Sequence, residues 1–159
     1  MENHNINNKA AEPVWQIVHT YTRSQAIADG FQVEVSKVAQ EAGITFPVFL
    51  TRAVYDNYVA VPAGVTGQDD HDPRSGSNTS GTHLVADLGS QPGRLWDVVW
   101  MLRFGMRKAQ SGQTRLPYAL YVRNSDNHPA RLIKLIAVCG PLDIDDPSPA
   151  ITVMMPDED

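Results

Sequence analysis

Asp69, Asp70, His71 and Asp72 form the densest group of potential ligand side chains in this 159-residue chain. Carboxylate and imidazole groups bind divalent metals, and His83 follows eleven residues after Asp72. The spacing matches no calcium-binding loop, and the surrounding residues are mostly Gly, Ser, Thr and Asp. We therefore expect a solvated acidic loop without a bound metal. Its three carboxylates, at 69, 70 and 72, are a candidate contact surface for a partner.

His19 is the second candidate centre. It lies in a β-prone run at 14–21, just before a short predicted helix. This order is similar to the opening of ADP-ribosyltransferases, in which a strand histidine binds the ribose of NAD and a late acid stabilises the oxocarbenium ion. No Glu follows the late strands at the place that the pattern requires, and the acids at 143–146 and at the C-terminus fall in predicted loops. An NAD-using enzyme centred on His19 is the alternative hypothesis, beside a simple hydrogen-bonded strand histidine.

Other catalytic classes have no motif in this sequence. GxGxxG, GxxxxGK[ST], HExxH and GxSxG are all absent. The net charge of −5 argues against binding along DNA phosphates. Cys139 is the single cysteine, which excludes an internal disulfide and a cysteine zinc site; within an apolar run it is expected to be a small buried hydrophobe. We expect no cofactor and no direct nucleic-acid binding.

The polar stretches of the chain indicate its organisation. Residues 1–13 are Asn-rich, lack the pattern of a signal peptide, and are predicted to be a flexible tail. No apolar run reaches the ~18 residues that a membrane span requires, so the predicted location is the cytoplasm. The remaining residues, 14–159, have the length of a single domain, with a mobile loop predicted over the Gly- and Ser-rich segment at about 62–91.

Capping residues and glycines mark short helices in the first third of the chain. Thr22 and Gln25 have the spacing of a capping box, while Ser36 and Thr51 are candidate N-caps. Period-two alternation predicts a strand between the first two helices. The predicted helices cover 23–29, 37–42 and 52–61, and the predicted β-prone segments cover 31–35 and 44–50.

Two details of these elements are specific enough to test. Pro47 lacks a backbone N–H, which argues against a central, fully paired strand at 44–50. In the third helix, Val54, Tyr58 and Val61 have helical spacing and are predicted to form its buried stripe.

Residues 93–109 give the strongest periodic signal and predict one long helix that is apolar on nearly every side. Trp96, Trp100 and Phe104 form a second stripe opposite the core stripe. A helix with two apolar sides must be covered on both, by its own domain or by a partner. The predicted core stripe consists of Leu95, Val98, Val99, Leu102, Met106 and Ala109.

Arginines border this aromatic stripe. Arg103 and Arg107 lie beside the rings in the helical projection, and Trp next to Arg is a composition enriched in binding hot spots. Trp96, Trp100, Arg103 and Arg107 are therefore the first candidates for a binding site, unless the aromatic side chains simply pack inside the fold.

The last third of the chain is predicted to form β-strands. Segments 116–123 and 131–139 are joined by a turn-rich connection that predicts an antiparallel hairpin, and 151–155 follows as a third strand. Alternation places Leu116, Tyr118, Leu120 and Val122 on one face. Helices mostly first and strands mostly last predict an α+β fold, with an antiparallel sheet packed against several helices.

Four segments together resemble an uncharacterised family of small bacterial proteins carried on plasmids, phages and integrative elements. They are YTRSQAIADG at 21–30, FPVFLTRAV at 46–54, GRLWDVVWM at 93–101 and ITVMMP at 151–156. The resemblance covers nearly the whole chain. It implies an accessory protein of a mobile element, and no active-site residue comes with it.

From these observations we expect a non-enzymatic protein that acts by binding a protein partner. The resemblance suggests inhibition of host defence, either anti-CRISPR or anti-restriction, with a host nuclease or a CRISPR surveillance complex as the partner. The acidic segments and the aromatic helix are the expected contact surfaces. The sequence leaves homodimer formation open and predicts no membrane association.

Overall fold

The computed structural model describes residues 21–63 and 90–158, which share one five-stranded sheet in the order β1-β2-β5-β4-β3. The elements are α1 (Arg23–Ala28), β1 (Gln32–Glu34), α2 (Ser36–Glu41), β2 (Val48–Thr51), α3 (Arg52–Val54), a π-helical turn (Tyr55–Val59), α4 (Gln91–Lys108), β3 (Arg115–Val122), β4 (Arg131–Pro141) and β5 (Pro149–Met154). The predicted tail at 1–13, the predicted strand up to residue 20 and the predicted loop over 64–89 lie outside the described residues.

The sheet confirms the α+β class but is mixed, so the prediction of an antiparallel sheet is wrong. β1–β2, β4–β5 and the β3–β4 hairpin are antiparallel pairs. β2 and β5, however, run parallel, with Val48 opposite Ile151 and Leu50 opposite Val153. These two strands are about a hundred residues apart in the chain, and local alternation carries no information on the direction of such a distant partner.

The N-cap predicted for α1 is confirmed, and the N-cap predicted for α2 is wrong. The Thr22 hydroxyl accepts from the Gln25 N–H at 3.1 Å, and the Thr22 N–H donates to the Gln25 side chain at 2.9 Å, which confirms the capping box. Ser36 was predicted to be an N-cap and is instead the first residue of α2. Its hydroxyl accepts from the Val48 N–H at 3.2 Å, so it ties α2 to β2.

β2 is a central strand despite Pro47, and the prediction that Pro47 excludes one is wrong. The strand begins at Val48, one residue after the proline, so no ladder N–H is required at Pro47 itself. The Pro47 carbonyl accepts from the Ile151 N–H at 2.9 Å, which extends the pairing with β5.

The third helix changes its winding after one turn. Thr51 caps α3 as predicted, since its hydroxyl accepts from the Val54 N–H at 3.3 Å. The next residues form a π-helical turn, closed by the Ala60 N–H donating to the Tyr55 carbonyl at 2.8 Å. Val54 and Val59 are fully buried, while Val61 is exposed because the helix ends at Val59 and the chain turns away at Ala60, whose ψ is 136°. The predicted burial of Val61 is therefore wrong.

α4 packs across the sheet through one face. Val98, Val99 and Leu102 are fully buried, as predicted. Gly105 lets the helix approach closely, because a Cβ there would stand 3.4 Å from Leu116 Cδ2 and 3.6 Å from Tyr118 Cβ. The opposite face carries charged and exposed side chains, so the prediction of a helix apolar on nearly every side is wrong. In the ranges 21–63 and 90–158, none of the helices has both the length and the hydropathy of a membrane span.

Arg94 joins three elements at the N-terminal end of α4. Its guanidinium is buried and donates from Nε to the Tyr58 carbonyl at 3.1 Å and from Nη1 to the Arg123 carbonyl at 2.7 Å. Nη2 donates to the side chain of Asn124, whose amide in turn donates to the Asn57 carbonyl at 3.0 Å. The single side chain thereby links α4 to the π-helical turn and to the end of β3.

We predict that Arg94→Lys destabilises the protein by about 3 kcal/mol, because one ammonium cannot reach all three acceptors and leaves buried carbonyls unpaired. Arg52→Lys is the matched control: Arg52 forms a surface pair with Asp56 at 2.9 Å, and we expect a loss below about 1 kcal/mol. Urea unfolding measures both. Equal losses for the two variants would contradict a structural role for the Arg94 network.

Candidate functional site

The aromatic stripe of α4 lies on the side of the helix that faces away from the sheet. Because a helix advances about 100° per residue, burial of Val98 and Leu102 turns Trp100 and Phe104 outward. Trp100 is 51% exposed and Phe104 is 48% exposed, whereas Trp96 is partly buried and packs against the core. The stripe therefore begins at the core and continues onto the surface.

Two contacts join neighbouring side chains on this side of the helix, one at each end of the stripe. The rings of Trp96 and Trp100 are stacked, with centroids 5.7 Å apart and an interplanar angle of 20°. The Lys108 Nζ lies 4.1 Å from the centre of the Phe104 ring, within the range of a cation–π contact. We call Trp96, Trp100, Phe104 and Lys108 the aromatic ridge. Sequence reasoning identified the three rings from their i, i+4 spacing but missed the contact of Lys108 with Phe104.

Positive charge is concentrated at the C-terminal half of α4. Arg103, Arg107 and Lys108 lie there, and Asp97 is the one acid in the helix. Burial raises the pKa of Asp97, while the charge of Arg94, one turn earlier, partly offsets that effect. The exposed end of the aromatic ridge is therefore cationic.

The two predicted arginines do not act as a pair. Arg107 is exposed near the aromatic ridge. Arg103 is half-buried and lies against Gly43 at the end of α2, where a glycine Cβ would stand 3.4 Å from Arg103 Nε. Packing against α2 thus directs the Arg103 side chain away from the exposed rings.

The other candidate residues of the sequence analysis belong to parts of the chain that the structure does not describe. His19, Asp69, Asp70, Asp72 and His83 all lie outside the described residues. Within the two described ranges, no group of three or more His, Cys, Asp and Glu side chains is arranged to hold a metal ion.

Cys139 was predicted to be buried and is exposed, because it sits near the end of β4 where the cover of α4 ends. It lines a cavity of ≈ 180 Å³ together with apolar side chains, including those of Phe46 and Met106.

A larger cleft, of ≈ 630 Å³, lies beside α1 and is bordered by Tyr21, Phe31 and Ile144. Arg23 crosses its floor, with the guanidinium 4.4 Å from the centre of the Phe49 ring. Its Nη1 donates to the side chains of Gln32 at 2.8 Å and Thr152 at 2.9 Å. These contacts hold α1 onto the sheet.

Asp143 completes the attachment of α1. Its carboxylate accepts from the backbone N–H groups of Arg23 at 3.0 Å and Ser24 at 3.2 Å, and from the Ile144 N–H at 2.8 Å. These hydrogen bonds lower the pKa of Asp143, the one from the Arg23 backbone having the largest effect. Because the charged groups of the cleft are engaged with the protein itself, the aromatic ridge is the better candidate for a functional site.

The fold is α+β, and its candidate site is a partly exposed aromatic surface on α4. The chain belongs to DUF6573, a family of unknown function, whose family model matches residues 8–159. This confirms the predicted membership of an uncharacterised family. No curated protein and no solved structure matches the chain.

Two neighbouring residues of α4 test which face is buried. We predict that Leu102→Ala costs about 3 kcal/mol of unfolding free energy, because it opens a cavity in the core. Trp100→Ala should cost only about 1 kcal/mol, the value of one stacked aromatic contact. Urea unfolding of both variants compares them directly, and a Trp100 loss as large as the Leu102 loss would contradict the orientation of α4.

Acid titration tests the attachment of α1. A lowered carboxyl pKa in the folded state stabilises the protein above the ordinary Asp pKa of about 3.9, and that stability is lost as the pH falls through the folded value. The melting temperature should therefore decline more steeply for the wild-type protein than for Asp143→Asn below about pH 4. Asp145→Asn, which removes none of these hydrogen bonds, should decline like the wild type. Parallel curves for wild type and Asp143→Asn would show that Asp143 does not hold α1.

Proposed function

We propose that this protein is a non-enzymatic interaction protein that binds a protein partner through the aromatic ridge. The observation that carries the proposal is the exposure of Trp100 and Phe104, about half of each side chain, on a helix whose other face is fully buried. Large aromatic side chains left exposed on one side of a helix are typical of interaction surfaces.

The geometry of the aromatic ridge favours binding in two ways. An aromatic side chain can bury about 150–250 Å² in an interface, which makes Trp and Phe frequent anchors. The stacking of Trp96 on Trp100 already restricts the two rings, so less side-chain entropy is lost when a partner covers them.

The positive charge beside the aromatic ridge indicates the chemistry of the partner surface. Arg107 and Lys108 are exposed beside the rings, and α4 has no acid in this half. Opposite charges on two surfaces steer their encounter and favour one partner over others. The proposed partner surface therefore has an apolar recess bordered by carboxylates.

We extend the proposal to the setting of this interaction. The protein is proposed to act in the cytoplasm as an accessory of a bacterial mobile element, against a host nuclease or a CRISPR surveillance complex. The support is the resemblance described above, in which the segment at 93–101 also supplies Trp96 and Trp100 of the aromatic ridge. The carboxylates of Asp69, Asp70 and Asp72 are proposed as a second contact that enters a basic channel.

Affinity capture from host lysate tests the proposal. Wild-type protein should retain one partner, identified by mass spectrometry, and the double variant Trp100→Ala/Phe104→Ala should lose at least about 90% of it, as expected when two hot-spot rings are removed. Higher salt should weaken the capture, because the charges around the rings are exposed. Purified partner is then assayed for nuclease activity with and without the protein.

Phe31→Ala is the matched control, since Phe31 is an aromatic side chain that is even more exposed (63%) and lies beside the cleft at α1. It should retain the partner. Two results would contradict the proposal: full retention by the double variant, or a protein that captures no partner and turns over NAD.

A further inference from the structure

The sheet has a second face, which points away from α4. Leu116 and Tyr118 contact the region of Gly105 in α4, so the alternate residues of β3, including Ala119 and Tyr121, lie on the opposite face. Directly paired residues of antiparallel strands share a face. Lys134 pairs with Ala119 and Leu132 pairs with Tyr121, so both belong to this second face.

Helix α1 covers one end of the second face, over β2 and β5. Arg23 of α1 contacts Phe49 on β2 and Thr152 on β5, which fixes the helix over that part of the sheet. Over β3 and β4, the described residues supply no corresponding helix. We call this part the open face; its exposed residues are Pro117, Tyr121, Leu132 and Lys134.

Large apolar side chains on the open face are exposed. Tyr121 is 68% exposed and its direct partner Leu132 is 55% exposed. The two side chains form a cross-strand pair, and Pro117 on β3 is also exposed, whereas Ile136 further along β4 is buried. A sheet face with exposed apolar pairs of this kind is normally covered by a second layer.

The charge of the β3–β4 hairpin is opposite to that of the whole chain. The chain has a net charge of −5, yet residues 115–141 contain four basic side chains and a single acidic one. Lys134 projects from the open face itself, beside Leu132 and Ile136. Such a surface is complementary to a partner that carries carboxylates next to apolar side chains.

The edge of β3 disfavours an added strand. The Cys139 N–H donates to the Thr114 carbonyl at 2.7 Å, so these two residues form a hydrogen-bonded pair. Hydrogen-bonded and non-hydrogen-bonded pairs alternate along an antiparallel ladder, so the backbone of Pro117 points away from β4, towards the outer edge. Proline has no N–H to donate to a new strand. A helix fits better, because β3, β4 and β5 span about 10 Å between centres, close to the diameter of one helix.

We infer that the open face binds an amphipathic helix of a protein partner, whose apolar stripe covers Tyr121 and Leu132 and whose flanking carboxylates pair with Lys134. This helix would complete the layer that α1 begins. The surface lies across the sheet from the aromatic ridge, so the inference stands independently of the function proposed there.

Two synthetic amphipathic helical peptides test the inference. They share one leucine stripe, and the residues beside the stripe are Glu in one peptide and Lys in the other. Titrated into ¹⁵N-labelled full-length protein, the Glu peptide should shift the amide resonances of β3 and β4. The Lys peptide should bind at least about tenfold more weakly, because it places like charges together.

Matched variants separate apolar contact from charge. Leu132→Asp should weaken binding of the Glu peptide at least about tenfold, whereas Ile144→Asp, at an equally exposed side chain (56%) on another surface, should not. Lys134→Glu should reduce the preference for the Glu peptide, while Lys37→Glu on α2 should preserve it. Unchanged spectra of the free variants outside the mutated strand establish that the fold is intact.

Several outcomes would overturn the inference. They are absence of binding by the Glu peptide, equal binding by both peptides, shifts confined to α4, or equal weakening by Leu132→Asp and Ile144→Asp. A wild-type dimer in sedimentation velocity that Leu132→Asp converts to monomer would also overturn it, since a second copy would then occupy the open face.

Discussion

The burial of Val98, Val99 and Leu102 against the sheet determines which side chains of α4 face the solvent. A helix can bury only one side against a sheet, so fixing these three residues also fixes which residues face outward. Gly105 strengthens the constraint, because its missing side chain lets α4 lie close to Leu116 and Tyr118. The outward position of Trp100 and Phe104 follows from this packing and from the helical repeat.

Two buried or half-buried arginines hold the layers around that sheet. Arg94 attaches α4 to the π-helical turn and the β3–β4 hairpin, and Arg23 attaches α1 to the other face. Each guanidinium uses several of its donors on protein acceptors, which is the condition under which burying a charge is tolerated. These arginines therefore act in the architecture, while Arg107 at the end of α4 and Lys134 on β4 are exposed.

Local chemistry explains which parts of the fold could be predicted from the sequence. The capping box of Thr22 and Gln25, the hairpin and the burial of Val98, Val99 and Leu102 depend on residues close together in the chain, and they were predicted correctly, whereas Leu95, Met106 and Ala109 of the same predicted stripe are only partly buried. The parallel pairing of β2 with β5 depends on segments far apart, about whose direction local patterns are silent. The third helix ends in a π-helical turn at Val59, so Val61 lies beyond the helix and is exposed, which the periodicity of an α-helix does not anticipate.

The candidate sites, too, could be predicted only as far as local spacing determines them. The i, i+4 spacing of Trp96, Trp100 and Phe104 placed three rings on one side of a helix, but not whether another layer covered them. The sequence does contain a pattern that indicates the open face. β4 is apolar at both its odd and its even positions, as expected for a strand with cover on both faces. Whether a face is covered depends on the tertiary arrangement, and alternation alone does not supply it.

Hydroxyl-radical footprinting with mass spectrometry tests the central claim most directly, because it reads the solvent exposure of individual side chains. Trp100 and Phe104 should be oxidised rapidly in the free protein and protected once the captured partner is bound, while buried Leu102 should stay protected in both states. Protection of Trp100 and Phe104 in the free protein, or their unchanged oxidation in the complex, would contradict recognition through the aromatic ridge.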